Sequence, residues 1–145
     1  MEKHLLQAAE RGDAEAQFNL GVMYENGLDD SRYVVEGSRP EAVEWFRAAA
    51  EQGLPRAQLK LAELYAAEPD ISEAPVKACF WYLVAAKGLR GARLQSAQSA
   101  YQRASLRLTP AQIANAMSCA ESWQPKGPTV NGALDWQKNS VGRRT

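Results

Sequence analysis

A short phrase occurs twice in this 145-residue chain, and the repetition constrains the fold more than any other feature. The first copy is AERGDAEAQFNLGVMYENG at residues 9–27, and the second is AEQGLPRAQLKLAELYAAE at residues 50–68. A repeat of this size cannot bury its own apolar face, so neighbouring repeats must stack and bury it together. Stacking produces an elongated surface suited to holding another protein, although the repeat does not specify which protein.

The spacing within each copy predicts an α-helix. Four residues of the first copy share the i, i+4, i+5, i+8 spacing of one helical face: Ala16, Leu20, Gly21 and Tyr24. The same spacing returns 41 positions later at Ala57, Leu61, Ala62 and Tyr65. Glycine within a helix costs about 1 kcal/mol relative to alanine, so we expect Gly21 to permit a close approach by a neighbouring helix.

Two further segments predict the second helices of two hairpins. They read PEAVEWFRAAAEQG from Pro40 and APVKACFWYLVAAKG from Ala74. Pro40 and Pro75 stand where a first-turn proline is tolerated, and Gly53 and Gly88 stand where a left-handed C-cap would end each helix. Their aromatic residues occupy matching positions and are predicted to be core residues rather than a base-stacking set: Trp45, Phe46, Trp81 and Tyr82.

Shorter segments are predicted to close the array at both ends. A short helix is expected around Leu5 and Ala9, and a weaker third unit begins at Gly91. The Thr109-Pro110-Ala111-Gln112 sequence is a capping box that begins a closing helix. The apolar stripe of this helix comprises Ile113, Met117, Ala120 and Trp123. The Pro, Gly and Asn residues from Gln124 onward interrupt helices and predict an irregular or disordered tail. The predicted division is therefore a repeat domain at 1–123 and a tail at 124–145.

The charge and the cysteine content of the chain limit the cellular compartments and the classes of partner that we expect. Lys plus Arg and Asp plus Glu both number 17, which gives no support to binding of nucleic acid or an anionic membrane. No run approaches the roughly 20 apolar residues of a membrane span, and the first residues do not resemble a signal peptide. Cys79 and Cys119 fall in predicted helices and are expected to be buried residues of a reducing compartment. We therefore expect a cytoplasmic protein.

The chain lacks a persuasive catalytic, cofactor or metal motif. His4 is the only histidine, and it lies on the first short helix, where a solvated residue is the usual interpretation. No glycine pattern matches a phosphate-binding loop, and the adjacent Asp29 and Asp30 are expected to face water. We therefore predict a protein that is not an enzyme and binds neither a cofactor nor a metal.

Two motifs resemble a known family. Ala-x-x-Gln-x-x-Leu-Gly-x-x-Tyr-x-x-Gly spans Ala14 to Gly27, and Ala-x-x-Trp-Phe-x-x-Ala-Ala-x-x-Gly spans Ala42 to Gly53. The chain resembles Sel1-like repeat proteins, relatives of tetratricopeptide repeats, over residues 3–123. The resemblance implies an all-α solenoid of about three stacked antiparallel hairpins, a right-handed superhelix with capping helices. It also implies a bacterial adaptor that binds proteins. The two cysteines of this chain do not have the spacing that forms disulfides in cysteine-rich relatives, so the resemblance implies no activity specific to those relatives.

By analogy with tetratricopeptide repeats, the first helices line a concave groove. The residues predicted to face it are Glu15, Phe18, Val22 and Glu25, then Arg56, Leu59 and Glu63, then Leu94, Gln98 and Tyr101. Phe18, Leu59 and Leu94 are equivalent and would form an apolar stripe with a charged rim, which suits a helix or extended segment of a partner. The alternative is that these residues only complete packing between helices.

A long loop and the tail provide two other candidate surfaces. The loop from Asn26 to Arg39 is about five residues longer than its counterpart after Tyr65 and carries a second predicted site: Asp29, Asp30, Arg32 and Tyr33. Drift in a solvated turn is the alternative explanation. In the tail, Leu134 and Trp136 would either fold back into the groove, dock on a second copy or stay disordered, and Arg143 and Arg144 are expected to be solvated.

The sequence therefore predicts a cytoplasmic, bacterial adaptor that binds a protein or peptide through its concave groove. An inhibitory or immunity-type protein that occludes a toxin or effector enzyme is the alternative. A structural subunit that stacks through its terminal helices is a third possibility. The sequence leaves the oligomeric state open.

Overall fold

The computed structural model describes residues 2–26, 39–67 and 73–126, and these ranges contain seven α-helices and no strand. The helices are α1 (Glu2–Glu10), α2 (Ala14–Asn26), α3 (Arg39–Glu51), α4 (Pro55–Ala66), α5 (Ala74–Gly88), α6 (Gly91–Ser105) and α7 (Pro110–Ser122). This confirms the predicted all-α class and each predicted helix. The handedness of the superhelix stays a prediction.

The described residues divide into two compact units. The first contains the residues up to Gln52 together with Lys126, and the second contains Gly53–Pro125. The predicted repeat domain at 1–123 and tail at 124–145 stay predictions. Residues 124–126 are non-helical, and residues 127–145 lie outside the described residues.

In the first unit, α2 packs against both α1 and α3. Ala9, Ala16 and Leu20 form a buried cluster, around which half-buried apolar side chains from α1, α2 and α3 pack. A Cβ atom at Gly21 would lie 2.6 Å from Cε1 of Phe46, whose side chain is fully buried. The prediction that Gly21 permits a close helix contact is therefore confirmed.

The turn from α1 to α2 has a clear local cause. Gly12 adopts a φ of 103°, a left-handed conformation that glycine accepts readily, just after α1 ends. Asp13 then caps α2, because its Oδ1 accepts a hydrogen bond of 3.2 Å from the backbone N–H of Ala16. These two residues join α1 and α2 through a turn of three residues.

The start of the predicted tail is held to the end of α3 in the first unit. The backbone N–H of Lys126 donates a 2.6 Å hydrogen bond to the carbonyl of Glu51. The Lys126 ammonium also lies 3.2 Å from the Glu51 carboxylate, an ion pair that lacks hydrogen-bond geometry. The chain therefore remains attached to the repeat beyond the last helix.

In the second unit, α5 lies at the centre, and α4, α6 and α7 all pack against it. A helix covered on several sides must be apolar on more than one face, which explains the apolar sequence ACFWYLVAA in α5. Trp81 packs edge-on against Trp123, with ring centroids 5.9 Å apart and an interplanar angle of 72°. Trp123 therefore covers α5 where α7 ends.

The two predicted glycine caps have different outcomes. Gly53 has a φ of 102° just after α3, which confirms the left-handed conformation predicted there. Gly88 is the last helical residue of α5 and is not left-handed, so the prediction of a left-handed cap was wrong. The physical reason for this glycine is space, because a Cβ atom there would lie 2.6 Å from Cγ of Pro55.

The closing helix α7 confirms the capping box and corrects two burial predictions. The Gln112 N–H donates to Thr109 Oγ1 at 3.1 Å, and the Thr109 N–H donates to Gln112 Oε1 at 2.9 Å. Met117 is 52% exposed and Cys119 is also exposed, contrary to expectation. Only a narrow seam of α7 packs on α5, and it runs through Ala116 and Ala120 rather than through Met117 or Cys119.

Candidate functional site

The α2 part of the predicted groove lies in the first unit. Glu15, Phe18, Val22 and Glu25 follow one face of α2 at i, i+3, i+7 and i+10. Glu15 is exposed and the other three are half-buried. The Phe18 ring lies 5.6 Å from that of Phe46 at an angle of 55°, so Phe18 also contributes to packing between α2 and α3.

The α4 part of the predicted groove lies in the second unit. Arg56 and Leu59 are half-buried and Glu63 is exposed, beside the fully buried face of α4 that includes Leu61. Glu63 lies 4.0 Å from the ammonium of Lys60. Leu59 therefore presents an apolar side chain between charged neighbours.

The α6 part of the predicted groove also belongs to the second unit. Leu94 and Tyr101 are half-buried and Gln98 is exposed. Burial raises the pKa of Tyr101, and so does the nearby Cys79 of α5. Tyr101 therefore lies on the side of α6 that packs against α5. The α4 and α6 residues are brought into one unit, whereas a groove that also includes the α2 residues stays a prediction.

The other predicted sites lie outside the described residues. These sites comprise Asp29, Asp30, Arg32 and Tyr33 of the long loop and Leu134, Trp136, Arg143 and Arg144 of the tail. Among the aromatic residues predicted to be core, Phe46, Trp81 and Tyr82 are buried and Trp45 is half-buried. The core interpretation of the buried three is therefore confirmed.

The second unit contains a cavity of about 290 Å³ that the sequence did not predict, and we call it the Arg103 cavity. Its lining residues are Ala66 of α4, Pro75 and Tyr82 of α5, Ala100, Arg103 and Ala104 of α6, and Arg107 just after α6. Small apolar residues and two exposed guanidinium groups thus surround one space.

Tyr82 connects the core of the second unit with the Arg103 cavity. Burial and, to a smaller extent, the Glu63 carboxylate raise the pKa of Tyr82 to about 12, against the opposing effect of Arg103. The hydroxyl is therefore near both charged groups and stays protonated at neutral pH. A protonated hydroxyl can donate a hydrogen bond to an anion.

Charge segregation along the chain provides a signal for this cavity. Residues 1–74 contain 15 acidic and 7 basic side chains, whereas residues 75–145 contain 2 acidic and 10 basic ones. Between Pro75 and Ala120 the chain has no Asp or Glu. The overall balance of charge conceals this difference, which becomes visible when each part of the chain is counted separately.

A second cavity, of about 250 Å³, has a structural explanation. It is lined by Leu83, Lys87, Met117, Ala120 and Glu121. The ammonium of Lys87 donates a hydrogen bond to the carbonyl of Ala120, close to the C-terminal end of α7. A cation at that end of a helix is favourable because the last carbonyls lack partners there.

The buried glutamine of the first repeat also has a structural role. Gln17 is fully buried, and its Nε2 donates to the carbonyl of Ala9 at 3.0 Å. Its Oε1 accepts a hydrogen bond of 2.9 Å from Nε2 of Gln52. Gln17 thus joins the end of α1 to the turn after α3. The equivalent Gln58 of the second copy is likewise buried.

Potential catalytic and metal-binding groups are limited within the described ranges. Burial raises the pKa of the Cys79 thiol to about 11, so Cys79 is protonated at neutral pH and is a poor nucleophile. In the part of the chain that the structure describes, no group of three or more His, Cys, Asp or Glu is placed to hold a metal ion. Within the same ranges, no helix is long and apolar enough to cross a membrane.

Comparison with known proteins identifies the repeats. The family model described as Sel1 repeat matches residues 14–54 and 55–88, which together are 75 of the 145 residues. No curated protein and no solved structure matches the chain. The first match contains α2 and α3, and the second contains α4 and α5. Sel1 repeats are non-catalytic modules of protein interaction. The chain belongs to the Sel1 repeat family.

Proposed function

We propose that this Sel1 repeat protein holds a segment of a protein partner against α4 and α6, the first helices of two predicted hairpins in its second unit. The observation that carries the proposal is the incomplete burial of two equivalent apolar side chains, Leu59 and Leu94. In the same helices, Leu61 and Ala97 are buried. Apolar groups left partly accessible beside charged groups are typical of an interface with a polar rim.

The charged residues beside these apolar side chains would select and orient the bound partner. Glu63 is exposed, and Arg56 is half-buried beside Leu59. Charges at the rim of an interface mainly select and orient the partner, whereas the apolar centre supplies most of the affinity. We infer a cytoplasmic bacterial adaptor, and the identity of its partner would distinguish an adaptor from an inhibitor.

A pair of substitutions in the second unit tests the proposal. In the L59D/L94D variant, two half-buried apolar groups on α4 and α6 become charged. Phe18 is unsuitable because its ring also packs on Phe46. The matched control is L6D/M117D, which introduces the same two charges at apolar positions that are 39% and 52% exposed and do not line the predicted groove.

The experiment captures partners from extract of the source cells with tagged protein. Wild type and the control should retain the same partner, and L59D/L94D should retain at least about tenfold less. Circular dichroism and thermal melting of all three proteins establish that they are folded. Equal retention by a folded L59D/L94D variant would contradict the proposal and direct attention to the loop from Asn26 to Arg39.

A further inference from the structure

We propose that the Arg103 cavity binds a carboxylate side chain from an acidic segment of a protein partner. The inference rests on the proposed function only in taking the partner to be a protein, because the cavity residues are distinct from Phe18, Leu59 and Leu94. The size of the cavity, its two arginines and the lack of acidic residues between Pro75 and Ala120 each support the proposal.

The two arginines are available to an anion. Arg103 and Arg107 are exposed, and neither guanidinium forms an ion pair with a carboxylate among the described residues. The lysines of the same acid-free stretch have local roles, because Lys77 lies over the Tyr65 ring at 5.6 Å and Lys87 bonds to the end of α7. Arg103 and Arg107 are four residues apart and line one space, so their mutual repulsion would be relieved by an anion between them.

The cavity has the size and the donors for a carboxylate. Its volume of about 290 Å³ is at the lower end for a ligand pocket and suits one side chain rather than a helix. Guanidinium groups bind carboxylates through paired, charge-assisted hydrogen bonds. Ala100 and Ala104 provide apolar walls for the methylene groups of a glutamate, and the protonated Tyr82 hydroxyl adds a further donor.

The carboxylate of Glu63 would repel an incoming anion, so the proposal predicts that its removal tightens binding. Glu63 influences the ionisation of Tyr82, so its charge is felt at the cavity wall. Its carboxylate also lies 4.0 Å from the ammonium of Lys60. The E63Q variant should therefore bind an acidic peptide about twofold to fivefold more tightly than wild type.

The lining of the cavity favours a peptide over a nucleic acid. Binding of single-stranded nucleic acid relies on accessible aromatic faces that stack with bases. Tyr82 is the sole aromatic residue lining the described cavity, and it is only 4% exposed. A carboxylate on a flexible side chain needs no such stacking surface.

Fluorescence anisotropy with a labelled oligoglutamate peptide tests the proposal at about 50 mM salt, where screening is weak. The R103Q/R107Q variant should bind at least about tenfold more weakly than wild type. The matched R90Q/R93Q variant removes two exposed arginines of the same stretch that do not line the cavity, and it should lose less than about threefold. The A104L variant keeps every charge but fills the cavity, and it should lose about tenfold.

Several results would overturn the proposal. Equal losses in the two arginine pairs would show a general positive field instead of a site, and oligoglutamine bound as tightly as oligoglutamate would exclude carboxylate recognition. Tighter binding of a single-stranded oligonucleotide would assign the cavity to another class of ligand. A lower melting temperature for R103Q/R107Q with unchanged peptide binding would assign the arginines to stabilising the end of α6.

This experiment separates the cavity from the proposed groove. Arginine-dependent binding of oligoglutamate together with unchanged partner capture by L59D/L94D would contradict the groove and support the cavity. The reverse combination, capture lost from L59D/L94D and peptide binding indifferent to R103Q/R107Q, would support the groove and overturn the cavity.

Discussion

The two repeats solve the same packing problem with different residues, and the difference shows which atoms the packing constrains. In the first unit, Gly21 faces the fully buried ring of Phe46. The equivalent residues of the second unit are Ala62 and Tyr82, both buried. The second pair keeps an aromatic ring in the core but adds a hydroxyl beside the Arg103 cavity. Packing within the repeat therefore requires an aromatic ring at this position, whereas the hydroxyl of Tyr82 is an addition that the first repeat lacks.

The largest expected effect comes from removing the ring of the first unit. F46A deletes a fully buried aromatic side chain and should lower the free energy of unfolding by about 3–5 kcal/mol. Y82F changes the equivalent residue by only its hydroxyl and should cost less than about 1 kcal/mol. Urea denaturation of both variants measures the difference, and similar losses would mean that the hydroxyl is essential to the core of the second unit.

Alkaline pH should weaken the second unit in particular. Burial raises the pKa of Cys79 from 9.0 to about 11 and that of Tyr82 from 10.0 to about 12. The unfolded chain therefore loses these protons at lower pH than the folded chain, and stability should fall progressively between about pH 9 and pH 12. The C79V/Y82F variant carries the residues of the first unit, Val43 and Phe46, and should show a smaller loss. An unchanged pH profile of unfolding would contradict this assignment.

Replacing the buried glutamine of the first unit should cost about 2 kcal/mol. Q17L keeps the volume of the side chain but leaves the carbonyl of Ala9 and the amide of Gln52 without their hydrogen bonds to Gln17. Thermal or chemical denaturation measures the loss. The exposed Gln112 offers a matched control, because Q112L removes a capping hydrogen bond at the surface and should cost about 1 kcal/mol or less. Equal losses would mean that burial adds nothing to the Gln17 contacts.

The smallest expected effect comes from G21A, which places at Gly21 the alanine that the second repeat has at the equivalent Ala62. Alanine usually stabilises a helix relative to glycine by about 1 kcal/mol, but G21A would place a Cβ atom against Phe46 and should destabilise the protein by about 1 kcal/mol overall. G21A/F46L should recover part of this loss because the smaller side chain makes room. A stabilising G21A substitution, measured by denaturation, would show that the contact relaxes freely.

Local signals in the sequence predicted most of the helices. The repeated apolar spacing located α2 and α4, and the capping box at Thr109 located the start of α7. Such features depend on residues that are close in sequence, so one chain suffices to interpret them.

Features that depend on distant residues could not be predicted in the same way. The role of Gly88 comes from Pro55, far away in the sequence. The exposure of Met117 and Cys119 depends on how much of α7 is covered by α5, which packs against it from an earlier part of the chain. The Arg103 cavity combines α4, α5 and α6, and the sequence showed only that the stretch supplying most of its lining, from Pro75 to Ala120, contains no Asp or Glu.

Hydrogen exchange of the chain, alone and with its captured partner, tests the central claim most directly. If α4 and α6 hold the partner, their backbone amides should exchange more slowly in the complex, while those of α7 should be unchanged. Protection confined to α7, or to the loop from Asn26 to Arg39, would contradict the account and place the binding surface elsewhere.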